Sequence, residues 1–418
     1  MASIGHEVIA FDINKDKIAK LNSGNLPFFE PELEELVKAG IKSGNLKFTS
    51  DLEQVALFAD VHFLCVGTPQ ADDSGTADVR QIQDAIKAIT PLLKSGASIV
   101  GKSTVPVGTA AWIEEYLVNN SSENLSLIWN PEFLREGFAV RDTLHPDRIV
   151  LGVSNSRDAE MVAEVYSPII STGTPLIVTD FETAELVKVA ANAFLATKIS
   201  FINAFSDLCD SVGADISTLA DAIGLDERIG RKFLNAGIGF GGGCLPKDIR
   251  ALQARAKELG IGKQFEFLVE VDRINQSRLK KVLDLATEIL GEISGKKITI
   301  LGASFKPNSD DVRDSPSVNI AKEMQRVGAH VIIHDPMAIS ALNKKDPSLV
   351  TEENLYEAVA NSDLILHLTE WSEYRNIDVA EISSKVRAKN IIDGRNVLDK
   401  QTWANAGWHV TYLGKPGS

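Results

Sequence analysis

Short apolar segments alternate with amphipathic helices in two separate parts of this 418-residue chain. In the first part, the pattern predicts strands at 7–12, 61–66 and 98–103, with helices within 31–42 and around 79–93. In the second part, it predicts strands at 296–301, 330–334, 363–368 and 390–393, with a helix at 317–327. Alternation of this kind is typical of a parallel sheet with helices on both faces.

A long helical stretch separates the two parts. From Phe181 to about Val212 the apolar residues keep helical spacing with no strand and no proline, and further helices continue to about residue 290. We therefore predict an α/β protein with two Rossmann-like parallel-sheet domains, at 1–180 and 291–418. A helical middle domain at 181–290, with a long central helix, joins them. Most apolar residues of that helix are expected to serve core packing or an oligomer interface.

Composition narrows the classes of function. The chain has 43 basic and 57 acidic residues, a net charge of −14, which argues against general nucleic-acid binding. No apolar run approaches the roughly 20 residues that cross a bilayer, so we expect no membrane segment. The three cysteines lack metal-ligand spacing and are typical of a reducing compartment, so we predict a cytoplasmic protein without a metal site.

The first predicted strand ends in an acidic residue. Asp12, followed by Asn14 and Lys17, resembles the strand end whose carboxylate accepts hydrogen bonds from the ribose of a dinucleotide, although a turn or cap role is equally available. The glycine fingerprint of that fold lies about 20 residues before the acid, and Met1 to Gly5 can supply only the last helical turn. Either the start is assigned too far downstream or the protein is truncated; we favour the first.

A cysteine stands between a glycine-rich turn and a predicted helix. The segment 239–248 reads GFGGGCLPKD, Pro246 suits the first turn of a helix, and the helix is predicted to continue to about Leu259. The positive end of the helix and Lys247 both favour the thiolate of Cys244. The alternative is a buried, inert cysteine in an ordinary turn.

Several motifs in one order resemble the nucleotide-sugar 6-dehydrogenase family, and within it the members that act on UDP-glucose most closely. The resemblance covers nearly the whole chain. It implies two successive oxidations of a primary alcohol to a carboxylic acid with NAD, and a homodimer formed through the middle domain. Its motifs are VGTP at 66–69, STVPVGT at 103–109, NPEFLREG at 130–137, the cysteine segment, FK at 305–306 and DVRDSP at 311–316.

The resemblance also implies catalytic roles. Cys244 is the nucleophile that captures the aldehyde, and Asp248 orients water or shares in proton transfer. Lys188 and Asn192, four residues apart on the long helix, stabilise oxyanions. Thr104 and Glu132 hold a water for proton removal and thioester hydrolysis.

By the same resemblance, other residues bind the substrate and the cofactor. Lys306 and Arg395 contact UDP, and Arg228 reaches the sugar from the neighbouring subunit. The remaining substrate-binding residues are Phe133, Leu134, Glu136, Phe240 and Gly241, with Glu136 ranked below Glu132 as an acid. The cofactor-binding residues are Asp12, Lys17, Thr68, Pro69, Thr104 and Arg313.

Three alternatives stay open. A GDP-mannose 6-dehydrogenase shares the wording around the cysteine and the same chemistry. A UDP-N-acetylmannosamine dehydrogenase is a weaker candidate, because that branch tends not to keep Lys247 and Asp248 after the cysteine. A non-catalytic nucleotide-sugar-binding protein would result if the missing strand and phosphate loop had really been lost.

Overall fold

The computed structural model describes residues 1–71 and 75–415. The chain divides into two compact units. The first comprises Met1–Ala191 and Arg250–Gly262, and the second comprises Asn192–Ile249 and Lys263–Ser418. The division into three domains at 180 and 290 stays a prediction.

The first unit contains seven strands among the described residues. The strands are β1 (Val8–Phe11), β2 (Leu46–Thr49), β3 (Val61–Leu64), β4 (Ser98–Gly101), β5 (Ser126–Trp129), β6 (Ile149–Val153) and β7 (Leu176–Thr179). The helices are α1 (Lys15–Asn22), α2 (Leu33–Ser43), α3 (Leu52–Phe58), α4 (Arg80–Ile89), α5 (Thr109–Asn120), α6 (Ala139–Leu144), α7 (Ser156–Val165), α8 (Ser167–Ile170), the start of α9 (Phe181–Val212) and, from Arg250, the end of α11 (Leu245–Glu258).

Strands β3 to β7 form one five-stranded sheet in chain order. The pairs β3–β4, β4–β5 and β6–β7 are parallel as predicted, but β5 and β6 are antiparallel. A parallel return needs a crossover that packs on the sheet. The connection from β5 to β6 carries only the six-residue α6, and the chain comes back in the opposite direction.

Side chains of the central strands alternate between two apolar clusters. In β4, Ile99 packs with Trp129 and with residues of α4 and α5, whereas Val100 packs with residues of β6 and α7 on the other face. Both faces of this sheet are therefore covered, as expected for strands without polar alternation.

Strands β1 and β2 form a separate two-stranded parallel sheet. Among the described strands, β1 pairs only with β2, and β3 pairs only with β4, so each leaves one edge without a strand partner. A 3-10 turn at Ala2–Ile4, ended by Gly5 in the left-handed region (φ 102°), precedes β1. Gly5 thus ends a helical turn, as predicted.

The second unit contains six strands among the described residues. They are β8 (Lys297–Leu301), β9 (His330–His334), β10 (Val350–Thr351), β11 (Leu364–His367), β12 (Asn390–Asp393) and β13 (His409–Tyr412). The helices are the remainder of α9, α10 (Ile216–Gly224), the start of α11 (Leu245–Glu258), α12 (Glu266–Leu290), α13 (Pro316–Arg326), α14 (Ile339–Lys345), α15 (Leu355–Ala358), α16 (Ser372–Arg375), α17 (Val379–Lys385) and α18 (Lys400–Asn405).

These six strands form one parallel sheet in the order β10-β9-β8-β11-β12-β13. In this order β8, the first of the six strands along the chain, lies between β9 and β11, the second and the fourth. This is the strand order of a doubly wound dinucleotide-binding fold. The predicted α/β class with two Rossmann-like sheets and a long central helix is confirmed. Among the described residues, none of the helices combines the length and apolar character that crossing a membrane requires.

Gly101 of β4 offers a test of the packing in the first unit. A Cβ built on Gly101 would lie 2.1 Å from Cζ3 of Trp129, whose side chain is buried, so the ring or the strand would have to move. We expect Gly101→Ala to lower the free energy of unfolding by about 1–3 kcal/mol, the usual cost of overpacking. Urea unfolding followed by tryptophan fluorescence measures it.

Gly67→Ala is the matched control. A Cβ at Gly67 would meet only Gln81 Oε1, at an ordinary 3.7 Å. We expect a change of less than about 1 kcal/mol. Equal unfolding curves for the two variants would contradict the packing described for Gly101.

Candidate active site

Cys244 lies directly before α11 and is exposed. The prediction of a cysteine at a helix start is confirmed, and the alternative of a buried cysteine is wrong. The glycines before it approach protein atoms closely: a Cβ on Gly239 would lie 2.3 Å from Asn275 Oδ1, and one on Gly241 would lie 2.2 Å from the Asp314 carbonyl oxygen. Within the second unit, these glycines therefore allow the chain to pack against its own structure.

Asp248 lies one turn into α11 and is only 2% exposed. Its backbone N–H donates to the Cys244 carbonyl oxygen at 2.9 Å, in the first turn of the helix. Its carboxylate accepts from Asn192 Nδ2 at 2.6 Å and pairs with Lys247 Nζ at 3.0 Å. The second unit thus brings together Asn192, Asp248 and the segment of Cys244.

The first unit holds a second group around Lys188. The buried ammonium of Lys188 lies 3.2 Å from Glu132 Oε1 and 5.6 Å from the ring centre of Phe133. Glu132 Oε2 also accepts the backbone N–H of Leu134 at 2.9 Å, which fixes the carboxylate within its own turn. The carboxylate and the ammonium are therefore oriented toward each other by the fold.

Helix α9 carries residues of both groups. Lys188 belongs to the first unit and Asn192 to the second, one helical turn apart. The continuous apolar spacing of the helix, without proline, explains why the turn between them is regular.

The predicted cofactor residues of the first unit follow β3 and β4. Thr68 Oγ1 donates to the Thr104 carbonyl oxygen at 2.7 Å, and Ser103 Oγ donates to the Val66 carbonyl oxygen at 2.6 Å. The two loops are therefore tied together where open α/β sheets bind their ligands, at the carboxyl ends of parallel strands. Pro69 is exposed beside them.

Asp12 stands at the end of β1, and its carboxylate accepts from the Asn14 N–H at 2.9 Å and from Lys17 Nζ at 2.5 Å. Burial would raise the pKa of Asp12, but the hydrogen bonds from Lys17 and Asn14 hold it below its ordinary value. An ionised carboxylate with free acceptor capacity fits the ribose of a dinucleotide. Among the described residues, a turn at Ala2–Ile4, and not a glycine-rich phosphate loop, precedes this strand.

Positively charged residues of the second unit lie at the carboxyl ends of its strands. Arg395 donates from Nε to the Leu368 carbonyl oxygen at 2.7 Å, from Nη1 to that of Gly239 at 3.1 Å and from Nη2 to that of Phe305 at 3.4 Å. It also pairs with Glu370 at 3.2 Å. Its guanidinium therefore joins three segments that follow or approach the sheet.

The other predicted site residues are placed as follows. Phe240 is buried, and its backbone N–H and carbonyl pair with the Asn275 amide at 2.8 and 3.0 Å. Arg228 is exposed and paired with Asp226 at 2.6 Å. Leu134 is exposed, Glu136 is partly exposed and Gly241 is buried. Lys306 has its Nζ 5.2 Å from the ring centre of Phe305. Arg313 pairs with Asp311 at 2.8 Å and packs against Gly243.

Sequence reasoning missed polar residues that hold the site segments. Asn275 and Arg278 occupy the buried face of α12, among Leu268, Val271 and Val282. Polar residues at core-facing positions of a helix were a signal that could have found them. Arg148, with its Cζ 4.0 Å from the ring centre of Phe133, gave no such signal.

Lys102, just before Ser103, was also missed. Burial lowers the pKa of its ammonium, which donates to Asn130 Oδ1 at 3.1 Å and to the Tyr166 hydroxyl at 3.4 Å. Lys102 therefore links the segments that follow β4 and β5.

Comparison with known proteins matches three consecutive family models. The UDP-glucose/GDP-mannose dehydrogenase family matches with its NAD binding domain at residues 1–170, its central domain at 182–277 and its UDP binding domain at 299–400. UDP-glucose 6-dehydrogenase YwqF of Bacillus subtilis is 42% identical over 418 residues, 99% of this chain and 94% of that protein. UDP-glucose 6-dehydrogenase of Rhizobium meliloti is 40% identical over 420 residues, which cover 99% of this chain and 95% of that protein.

A solved structure is also similar over the whole chain. The UDP-glucose dehydrogenase of the hyperthermophilic archaeon Pyrobaculum islandicum has a TM-score of 0.89 at 34% sequence identity, covering 100% of this chain and 94% of that one. The family resemblance found in the sequence is therefore confirmed.

The environments of the cysteines predict an order of reactivity. Cys244 and Cys65 are exposed and Cys209 is buried. Desolvation nevertheless raises the pKa of the Cys65 thiol; the charge of Lys102 lowers this pKa and that of Glu132 raises it. We expect iodoacetamide at pH 7.5 to alkylate Cys244 about tenfold faster than Cys65, and Cys209 only after unfolding. Peptide mapping by mass spectrometry gives the three rates. Protection of Cys244 in the folded protein would contradict its placement.

Proposed function

The chain belongs to the UDP-glucose/GDP-mannose dehydrogenase family, and on that premise we propose that it oxidises C6 of UDP-glucose to the carboxylate of UDP-glucuronate through a thioester on Cys244. It is an NAD-dependent dehydrogenase. When bound, NAD supplies the hydride acceptor for both oxidations. One observation carries the proposal: Cys244 is exposed at the start of α11, where Asn192 and Asp248 meet one turn away.

We assign the first oxidation to the group around Lys188. As C6 loses a hydride, its hydroxyl loses a proton, and negative charge develops on that oxygen. The Lys188 ammonium, which its ion pair with Glu132 holds in place, can stabilise this charge. A water held by Glu132 and Thr104 takes the proton and passes it on to solvent, and a neutral water at the same position later attacks the thioester.

The second oxidation needs the thiolate. The sulfur of Cys244 adds to the aldehyde carbon, and the new C–S bond leaves an alkoxide that the Asn192 amide and the Lys188 ammonium stabilise. Loss of the remaining C6 hydrogen as hydride gives the thioester. Water then adds, the C–S bond breaks and the thiolate leaves. Asp248, buried beside Asn192, orients this water or takes its proton.

The nucleotide end would lie at the strand ends of the second unit. Lys306 follows β8 and supplies positive charge for the phosphates, while Arg395 fixes the carbonyls of Gly239 and Phe305 beside it. Arg228 is exposed, as a residue that serves a neighbouring subunit must be. The sugar would then lie near Phe133, Leu134 and the segment at 240–241, and the cofactor near Thr68, Pro69 and Arg313.

One argument favours UDP-glucose over GDP-mannose, and a second disfavours UDP-N-acetylmannosamine. Curated relatives at 40% and 42% identity bear the name UDP-glucose 6-dehydrogenase and match along nearly their full length. Lys247 with Asp248 follows the cysteine, a pair that the UDP-N-acetylmannosamine branch tends not to keep. A cytoplasmic location, where NAD and sugar nucleotides are available, remains part of the proposal.

The direct test is to measure NAD reduction with each sugar nucleotide. We expect two NADH and one UDP-glucuronate per UDP-glucose. With GDP-mannose and UDP-N-acetylmannosamine we expect kcat/KM to fall by at least about a hundredfold, because the wrong base or sugar leaves buried polar groups unpaired. Calorimetry that detects UDP-glucose binding without NAD binding would support the non-catalytic alternative instead.

Cys244→Ser separates the two halves of the reaction, because a serine hydroxyl at this position is a far weaker nucleophile. This variant should release or hold an aldehyde-level product and form no UDP-glucuronate, whereas the buried Cys209→Ser control should form the acid normally. Normal acid production by Cys244→Ser would rule out the thioester.

The predicted homodimer draws support from an apolar stripe on α9. Phe194, Phe201, Leu208 and Val212 are 66%, 47%, 55% and 68% exposed and recur at intervals of seven, seven and four residues. Residues with this spacing lie on one face of a helix. We propose that a second copy of the chain covers this stripe.

Phe201→Glu tests the dimer. A carboxylate in the centre of a buried interface would be desolvated without a partner, and we expect the dimer to weaken by at least about a hundredfold. Sedimentation velocity measures the mass, with Val350→Glu, an exposed apolar residue on the edge strand β10, as the control that stays dimeric. A Phe201→Glu variant that remained a dimer would exclude the stripe as the interface.

A further inference from the structure

The turn at 107–110, which ends the segment after β4, is held by a buried carboxylate from α9. Glu185 Oε2 accepts the Gly108 N–H and Glu185 Oε1 accepts the Ala110 N–H, each at 2.7 Å. Glu185 is 2% exposed. Because Thr109 begins α5, these amides are the unpaired donors at the start of that helix. A carboxylate satisfies them, so this helix end is not open to a phosphate.

A second side chain holds the same turn from α11. Arg255 Nε donates to the Val107 carbonyl oxygen at 3.2 Å, and Glu258 pairs with Arg255 Nη1 at 2.9 Å. A Cβ on Gly108 would lie 3.4 Å from Arg255 Nη2. The turn is therefore bound on its amide side by Glu185 and on its carbonyl side by Arg255.

Both helices also carry candidate catalytic residues. Lys188 follows Glu185 by three residues on α9, so the two side chains lie on adjacent turns of one face. Asp248 lies two turns before Arg255 on α11. At its other end, the held segment is tied to the loop after β3, because the Thr104 carbonyl accepts from Thr68.

We propose that Glu185 is a positioning residue for the oxidation, which holds the segment 103–109 at the cofactor site against the helix of Lys188, with Arg255 as its second support. This inference rests on the proposed function. By fixing the loop before the dinucleotide binds, the two side chains reduce the ordering that binding requires. They also keep Thr104 in register with Lys188.

The environment of Glu185 makes this hold sensitive to pH. Desolvation raises the pKa of Glu185 to about 7, and the amides of Ala110, Gly108 and Thr109 lower it, opposed by Glu182 on its own helix. In the folded protein the carboxylate is therefore ionised above about pH 7 and protonated below. A protonated oxygen donates and no longer accepts the N–H that faces it, so the hold weakens as the pH falls.

Glu185→Gln tests the proposal in the full-length protein. Glutamine keeps the shape but offers an acceptor to only one of the two amides. We expect the KM and the Kd for NAD to rise about tenfold, the effect of one lost hydrogen bond, with the KM for UDP-glucose changed less than about twofold. In the wild type the Kd for NAD should rise as the pH falls from 8 to 6, and in the variant it should stay level.

Glu182→Gln is the matched control, an exposed residue on the same helix with the same chemical change. At pH 8, where Glu185 is ionised with or without the Glu182 charge, the KM of this variant for NAD should not change. Hydrogen exchange of the Gly108 and Ala110 amides, measured without any ligand, should quicken about tenfold or more in Glu185→Gln. If that variant does not fold, Arg255→Met, at a partly exposed site, should raise the Kd for NAD in the same direction.

The outcomes separate this inference from the proposed function. If the wild type oxidises no sugar nucleotide, the proposed function fails, while faster exchange at Gly108 and Ala110 would still establish the hold. If the wild type is active and Glu185→Gln keeps its NAD affinity, pH profile and exchange rates, the positioning role is overturned.

Discussion

The segments that carry Thr104, Glu132 and Cys244 lie outside helices and strands, so buried side chains must satisfy their backbone hydrogen-bonding groups. In the first unit, Glu185 holds the end of the 103–109 segment, and Glu30 holds the end of the 130–137 segment by accepting the N–H groups of Gly137 and Ala139 at 2.7 Å each. In the second unit, the partners of the 237–240 segment are Asn203, Arg278, Asn275 and Arg395. The geometry of the site depends on these contacts.

This arrangement holds the chain on the approach to Cys244, and the Asp248 N–H donates to the Cys244 carbonyl in the first turn of α11. Arg278 is buried and donates to the Gly237 and Asn203 carbonyls and to Asp207, so its charge is compensated. Displacing the segment would remove acceptors from this buried guanidinium and leave its charge less compensated, which disfavours such a movement. In the proposed reaction, Cys244 would then need little reorganisation to attack the aldehyde.

Strong local patterns predicted the fold well. The long helix at Phe181–Val212 was predicted with the bounds observed. Its apolar residues keep helical spacing throughout, and no proline interrupts the backbone hydrogen bonds. The antiparallel β6 was not predicted, since strand direction depends on how a connection packs. At the site, the spacing placed Cys244 at a helix start, but the contact between Asn192 and Asp248 joins residues 56 apart in sequence. The buried position of carboxylates such as Glu185 could not be predicted from the sequence, because glutamate is ordinarily exposed.

The interruption between the two sheets of the first unit has a consequence for the behaviour of the protein in solution. A two-stranded and a five-stranded sheet have four edges where one continuous sheet would have two. Backbone groups at the open edges of β1 and β3 are a template for any extended chain nearby. Self-association through strand pairing is therefore a hazard that grows with protein concentration, by a route independent of the apolar stripe on α9.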